Sequence, residues 1–140
     1  MLVVENQGLP IGGLVASAQQ AEVKLAEATL APVKVPRTKG RPRTRPKEVV
    51  ADKGYDSGPL RRRLRRRGIK PCIPERRGKK PVPGRKADLS GYCHRWKVER
   101  TFAWLGNFRR LVVRYEWLVH VYWAFVLLAF ILICLDRILK

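Results

Sequence analysis

EVVADKGYDSGPLRRRLRRRGIKPCIP, Glu48–Pro74, is the stretch that decides the fold. Glu48–Ala51 has the apolar run of a buried strand, and Asp52 ends it. Ser57 is a candidate helix cap, with Pro59 in the first turn. Leu60 and Leu64 then fall on one helix face, and Gly68 stops the helix. Ile69–Ile73 reads as another short strand. Strand, helix and strand in succession predict an α/β domain. The other faces of the helix hold six arginines: Arg61, Arg62, Arg63, Arg65, Arg66 and Arg67. Such a helix presents either a solvated face or a DNA face.

The rest of the chain favours DNA. Its 140 residues carry 30 Lys and Arg against 11 Asp and Glu, a formal charge of +19. That charge repels itself in a compact state and suits a polyanionic partner. The hydrophobic share of 46% is enough for a core, which argues against wholesale disorder. Between Lys34 and Arg114 lie 27 of the 30 cations. Three cysteines (Cys72, Cys93, Cys134) without a C-x-x-C pair support neither a disulfide framework nor a four-ligand zinc site. Reduced thiols in a cytosolic protein are expected. The start has no secretory signal: Glu5 ends the first apolar run.

Upstream of the deciding stretch, Leu2–Glu5 and Leu9–Val15 read as the strands of a hairpin, with Asn6–Gly8 as its turn. A helix is expected over Ala18–Ala31, capped by Ser17 with Gln20 three residues on. Its apolar stripe would be Ala18, Ala21, Leu25 and Ala28. Residues 32–47 form a basic, Pro-rich linker, read as a mobile polycation that includes Arg41 and Arg43. Downstream, 75–88 is a second basic loop. Tyr92 to Tyr115 is expected to be one helix, and 117–139 an apolar last helix.

Two carboxylates carry the chemistry. Asp52 directly follows a buried strand, which places it at the carboxyl edge of a sheet, where ligands bind in open α/β folds. A turn or capping role is the bland alternative. Glu99 lies in YCHRWKVER, Tyr92–Arg100. At about 100° per residue, Tyr92, Arg95 and Glu99 fall within about 60° of one another on a helix. Val98, Phe102 and Leu105 share another, apolar face. Arg95 and Glu99 form either a surface ion pair or an arrangement that orients a metal-binding carboxylate and grips phosphate.

These stretches resemble the carboxyl-terminal part of a bacterial insertion-sequence transposase of the D–D–E class. VVADKGYDS (Val49–Ser57), the LRRRLRRRGIKPCIP after it, and Tyr92–Tyr115 carry the likeness. The family signature Y-x2-R-x3-E-x6-K is met by Tyr92, Arg95 and Glu99, while its Lys position is Gly106. The resemblance implies an RNase H-like mixed sheet with flanking helices, incomplete at its amino-terminal edge, with long carboxyl-terminal helices. It implies three acidic residues holding two Mg²⁺ or Mn²⁺ ions, with Asp52 the second and Glu99 the third. No residue here sits in the family's first-Asp motif; Glu5, Glu22, Glu27 and Glu48 are the only acids upstream of Asp52. Residues 1–140 are therefore expected to be a partial catalytic domain, inactive alone, from a decayed copy or a downstream reading frame.

The DNA contacts expected are Arg41, Arg43, Arg61, Arg62, Arg65, Arg66, Arg109 and Arg110. Expected partners are DNA, as element ends and target, then the upstream reading-frame product and a second copy of the chain, in the cytoplasm at the nucleoid. A non-catalytic DNA-binding protein is the main rival. Trp117–Leu135 contains no Asp, Glu, Lys or Arg and is long enough for a membrane span, so a membrane-anchored basic protein is a third reading. Because the resemblance runs through this segment without an insertion, burial is expected over anchoring.

Overall fold

The computed structural model describes residues 1–17, 19–76 and 88–139. Ala18 and residues 77–87 of the expected basic loop lie outside them. The chain opens with an antiparallel hairpin of β1 (Leu2–Val4) and β2 (Pro10–Gly13), in register Leu2↔Gly13 and Val3↔Gly12. The Glu5 carboxylate builds its turn by accepting from the Gln7 and Leu9 N–H groups at 2.7 and 3.2 Å. Gly8 has φ +88°, a conformation strained for any other residue, and the Arg100 guanidinium lies 2.6 Å from where a Cβ would stand.

Helix α1 runs Glu22–Leu30, later than expected. Ser17 does not cap it: its hydroxyl accepts from Gln19 N–H at 3.4 Å, and Ala21 holds the cap position without a side-chain bond. The buried face is also different. Ala26 and Thr29 are buried and Val23 and Leu30 partly so, whereas Ala21 and Ala28 are exposed. Thr29 tolerates burial because its hydroxyl donates to Leu25 O at 2.8 Å. Within the expected linker, Val35 and Arg43 exchange both backbone hydrogen bonds, at 2.9 and 2.8 Å. Gly40, at φ +87°, turns the chain between them. Part of the polycation is thus a closed surface loop.

Strands β3 (Glu48–Val50) and β4 (Lys70–Cys72) pair in parallel, Glu48↔Lys70 to Val50↔Cys72. Helix α2, Gly58–Arg66, connects them. Ser57 precedes it but makes no side-chain cap bond. Leu60 and Leu64 point inward one turn apart, and Gly68, at φ +69°, reverses the chain so that Ile69 N–H reaches Leu64 O at 2.9 Å. The core is Ala26, Leu60, Leu64, Ile69 and Ile73, with Val23, Leu30, Val49, Ala51 and Tyr55 against it. Helix α1 touches both the hairpin and the turn after β3. The four strands form two separate pairs, so among the described residues no single mixed sheet exists.

The helix expected from Tyr92 to Tyr115 is broken. Tyr92–His94 is a 3₁₀ turn, α3 spans Trp96–Leu105, and α4 is the short Arg109–Val112. Gly106 and Asn107 hold helices poorly, and tight bonds from Asn107 N–H to Trp104 O (3.1 Å) and Phe108 N–H to Leu105 O (3.1 Å) end α3 there. The apolar face expected on α3 is only partly right, because Phe102 is exposed. Thr101 is the buried residue, donating to Gly8 O at 2.5 Å. Lys97 donates to Asn6 O at 2.6 Å and Arg100 to Gln7 O, so α3 sits directly on the hairpin turn.

Helix α5 is Val119–Ile138 and packs on β2, α3 and α4. Val126, Ala129, Phe130 and Ile133 are its buried side. Leu127, Leu128, Ile131, Leu132, Leu135 and Ile138 are exposed. Expected burial is met on one face only, and the helix is long and apolar enough to cross a membrane.

Candidate catalytic and DNA-binding site

Parallel pairing brings the carboxyl ends of β3 and β4 to one edge. Ala51 N–H still bonds Cys72 O, at 3.2 Å, so Asp52 starts where the ladder stops. Its side chain is exposed and accepts from Lys53 N–H at 2.6 Å, capping the 3₁₀ turn Lys53–Tyr55. Burial pushes the Tyr55 hydroxyl up, helped by its hydrogen bond to Glu22 and by the charges of Glu22 and Asp52. The turn that Asp52 caps packs against α1.

Glu99 projects from the first turn of α3 and pairs with Arg95 four residues before it. The Arg95 guanidinium carbon lies 6.0 Å from the Tyr92 ring centroid. Tyr92, Arg95 and Glu99 therefore meet as their spacing predicts, although Tyr92 stands on the 3₁₀ turn rather than on α3. Arg95 is held charged above its ordinary range, first by the bond to Glu99, then by the charges of Glu99, Tyr92 and Asp52. Just before α3, Gly91 lies close to the Glu48 carboxylate, whose Oε2 is 2.6 Å from where a Cβ would stand. Nearby, Lys70 bridges Glu48 at 3.4 Å and Asp88 at 2.6 Å, and it holds the Asp88 carboxyl well below the usual carboxylate range.

As a metal centre this arrangement is incomplete. Among the described residues no three His, Cys, Asp or Glu side chains cluster to hold an ion. Glu5, the nearest candidate for a first acid, is engaged in the hairpin turn. Asp52 and Glu99 alone do not fit a pair of divalent ions.

The arginines of α2 separate by face. Arg61, expected to touch DNA, is instead 2% exposed. It pairs with Asp56 at 3.0 Å and donates to Ile73 O at 2.7 Å, joining the turn after β3 to the chain after β4. Arg63 pairs with Glu27 at 2.5 Å. Arg62, Arg65 and Arg66 point outward. Arg41 and Arg43 are exposed on the closed loop, where with Arg37, Arg45, Lys47 and Arg67 they line an open concavity of about 660 Å³ into which, among the described residues, no acid enters. Arg45 lies within 3.5 Å of the Cβ position of Gly68, so loop and helix form one continuous cationic face. Composition pointed to this cluster; its closure by the Val35–Arg43 bridge did not show in the sequence. Arg109 is exposed, and Arg110 pairs with Glu116 at 2.9 Å.

Glu99 and Arg95 pair on a strongly basic scaffold of small sheets and helices, and this mixed α/β arrangement fits a transposase domain. The chain belongs to the transposase DDE domain family, whose model matches residues 1–134. It is 39% identical over 138 residues to a Burkholderia cepacia protein described as a transposase for insertion sequence element IS402. That alignment covers 98% of this chain and 62% of the relative, so the chain spans less than two thirds of the relative's length. No solved structure matches the chain.

Proposed function

We propose that residues 1–140 are part of an RNase H-like catalytic domain of an insertion-sequence transposase. In this reading Asp52 and Glu99 are two of three carboxylates of a D–D–E site, and Tyr92 and Arg95 orient Glu99 and grip phosphate. The observation that carries it is the pairing of Glu99 with Arg95 at the family's spacing, with Asp52 at the end of β3 where the ladder stops, in a chain of this family. Bound Mg²⁺ or Mn²⁺ would supply Lewis-acid activation for strand cleavage and transfer. This chain's own part is to hold two carboxylates and bind DNA. The third carboxylate comes from sequence outside residues 1–140, as an upstream frame product or a longer chain, and the isolated chain cleaves inefficiently. A second copy of the chain is a further partner in this reading, and the protein works in the cytoplasm, at the nucleoid.

The DNA face consists of Arg41, Arg43, Arg62, Arg65, Arg66 and Arg109, with Arg110 beside it. Affinity for duplex DNA should fall steeply with salt, because each phosphate contact releases a counterion. Replacing Arg62, Arg65 and Arg66 together by Gln should flatten the slope of log K against log salt by up to about 3. Affinity indifferent to salt, or a slope unchanged in the triple variant, would show that α2 is not a DNA face.

A second reading, a DNA-binding protein without catalysis, is favoured by the engagement of both carboxylates, Asp52 by Lys53 N–H and Glu99 by Arg95. Metal-dependent nicking by a completed chain separates the two. The exposed side of α5 sets a separate test. Washing membranes with high salt should release the chain; retention until detergent is added would replace the buried-helix reading with a membrane anchor.

A further inference from the structure

Every second residue from Arg37 to Lys47 is a cation: Arg37, Lys39, Arg41, Arg43, Arg45 and Lys47. All six are exposed. In extended backbone that period sends side chains to one side. The structure keeps most of them together. Arg37, Arg41, Arg43, Arg45 and Lys47 line one open concavity with Arg67, and among the described residues no acid lines it. The Val35–Arg43 backbone pair closes the loop at its base. Pro36, Pro42 and Pro46 each fix φ and stiffen the chain around it. Thr38, Lys39 and Gly40 stay outside the lining and form the tip. Gly40 turns at φ +87°, and a Cβ there would meet nothing within 4 Å, so the tip is thin and open to a partner. Arg41 stands where the tip meets the concavity.

Shape and composition say what fits there. A concave cationic surface matches a convex ridge of negative charge, and a sugar–phosphate backbone is such a ridge. A tip beside that ridge falls into one of the two grooves that border it. The major groove, about 12 Å wide, suits a helix or a two-stranded ribbon. Here a single bridge closes the loop, and residues 36–47 contain no Asn, Gln, Asp or Glu to read base edges. The minor groove is about 6 Å wide, and in A·T tracts it is narrower and its negative potential is stronger. A thin tip with an arginine at its shoulder suits that groove. A guanidinium sheds water more readily than an ammonium, and only G·C pairs place an amine in its way.

We propose that residues 36–47 are a minor-groove grip. The concavity straddles one sugar–phosphate ridge of a duplex, and Arg41 enters the minor groove beside it. The proposal rests on the DNA reading of the basic face and adds to it a preference for A·T-rich duplex, set far along the chain from Asp52 and Glu99.

The test uses the full chain and three duplexes of equal length and phosphate number, which differ in a central tract of A·T, G·C or inosine·C pairs. Inosine·C shows the major-groove pattern of G·C but lacks the minor-groove amine, so its minor groove resembles that of A·T. The A·T and inosine·C duplexes should bind roughly five- to fiftyfold tighter than the G·C duplex. Arg41→Lys keeps the charge and should bring the three affinities to within about twofold of one another. Arg62→Gln, on α2, should weaken binding to all three alike and leave the preference in place. Equal binding of the three duplexes by the unaltered chain overturns the grip and leaves a phosphate contact only. Inosine·C binding like G·C overturns it in favour of a major-groove contact. A preference unchanged in Arg41→Lys also overturns it. In each of these cases the DNA reading stands. Failure to bind any duplex at low salt overturns both.

Discussion

In a chain completed with the amino-terminal part of its longer relative, Asp52→Asn and Glu99→Gln should each fold normally and lose DNA cleavage in Mg²⁺. Both changes keep shape. In Asp52→Asn the side-chain amide oxygen would still accept from Lys53 N–H, so the turn after β3 should survive. The Arg95–Glu99 pair is exposed, and breaking it should hardly move stability. Groups that support a metal ligand typically contribute 10- to 100-fold, so losing a ligand itself should exceed about a hundredfold. Tyr92→Phe and Arg95→Lys belong in the smaller range. Arg95→Lys keeps the charge but loses the two-pronged grip on phosphate. The isolated chain of 140 residues should remain near background in the same assay. Cleavage rates with each variant, and circular dichroism as a folding control, decide the matter. A well-folded Glu99→Gln enzyme with most of its rate would reduce the Tyr92–Arg95–Glu99 match to an ordinary surface helix. Full activity from the isolated chain would mean that a residue within it, Glu5 first among candidates, supplies the missing acid.

Different physics explains what could and could not be read from the sequence. The turn glycines Gly8 and Gly68 were legible because positive φ selects glycine locally. Leu60 with Leu64, and Arg95 with Glu99, were legible because helical spacing alone makes them neighbours. The phase of α1 was not. A run of small residues gives little contrast between faces, and a threonine that satisfies its own hydroxyl took the buried position. On α5 almost every residue is apolar, so the side that buries is chosen by β2, α3 and α4. The break at Gly106–Phe108 left only weak local signals, Gly106 and Asn107, within a stretch otherwise readable as one helix. Six arginines in α2 and its cap look alike as letters. Only the tertiary positions of Asp56 and the Ile73 carbonyl single out Arg61.

That singling out makes Arg61 the arginine on which the fold depends most. Its side chain is 2% exposed and that of Asp56 6%, so the pair sits where water screens little. Arg61→Met would take the buried guanidinium away from the Asp56 carboxylate and remove the donor to Ile73 O. Breaking a buried pair in this way typically destabilises by about 3 to 5 kcal/mol. Against a total of about 5–15 kcal/mol for a whole domain, that approaches loss of the fold. Adding Asp56→Asn to Arg61→Met removes the carboxylate charge that Arg61 balanced while keeping an acceptor for Arg76 N–H, and should recover part of the loss. Arg62→Gln, one residue along the same helix and exposed, should stay within about 0.5 kcal/mol of the unaltered chain. Urea unfolding of the four proteins measures this directly, and DNA binding supplies the cross-check. Arg62→Gln should weaken DNA affinity and leave the urea midpoint in place. Arg61→Met should lower the midpoint, and the fraction that remains folded should keep the salt slope of the unaltered chain. An Arg61→Met chain as stable as the original but with a flattened slope would return Arg61 to the DNA face and remove it from the core.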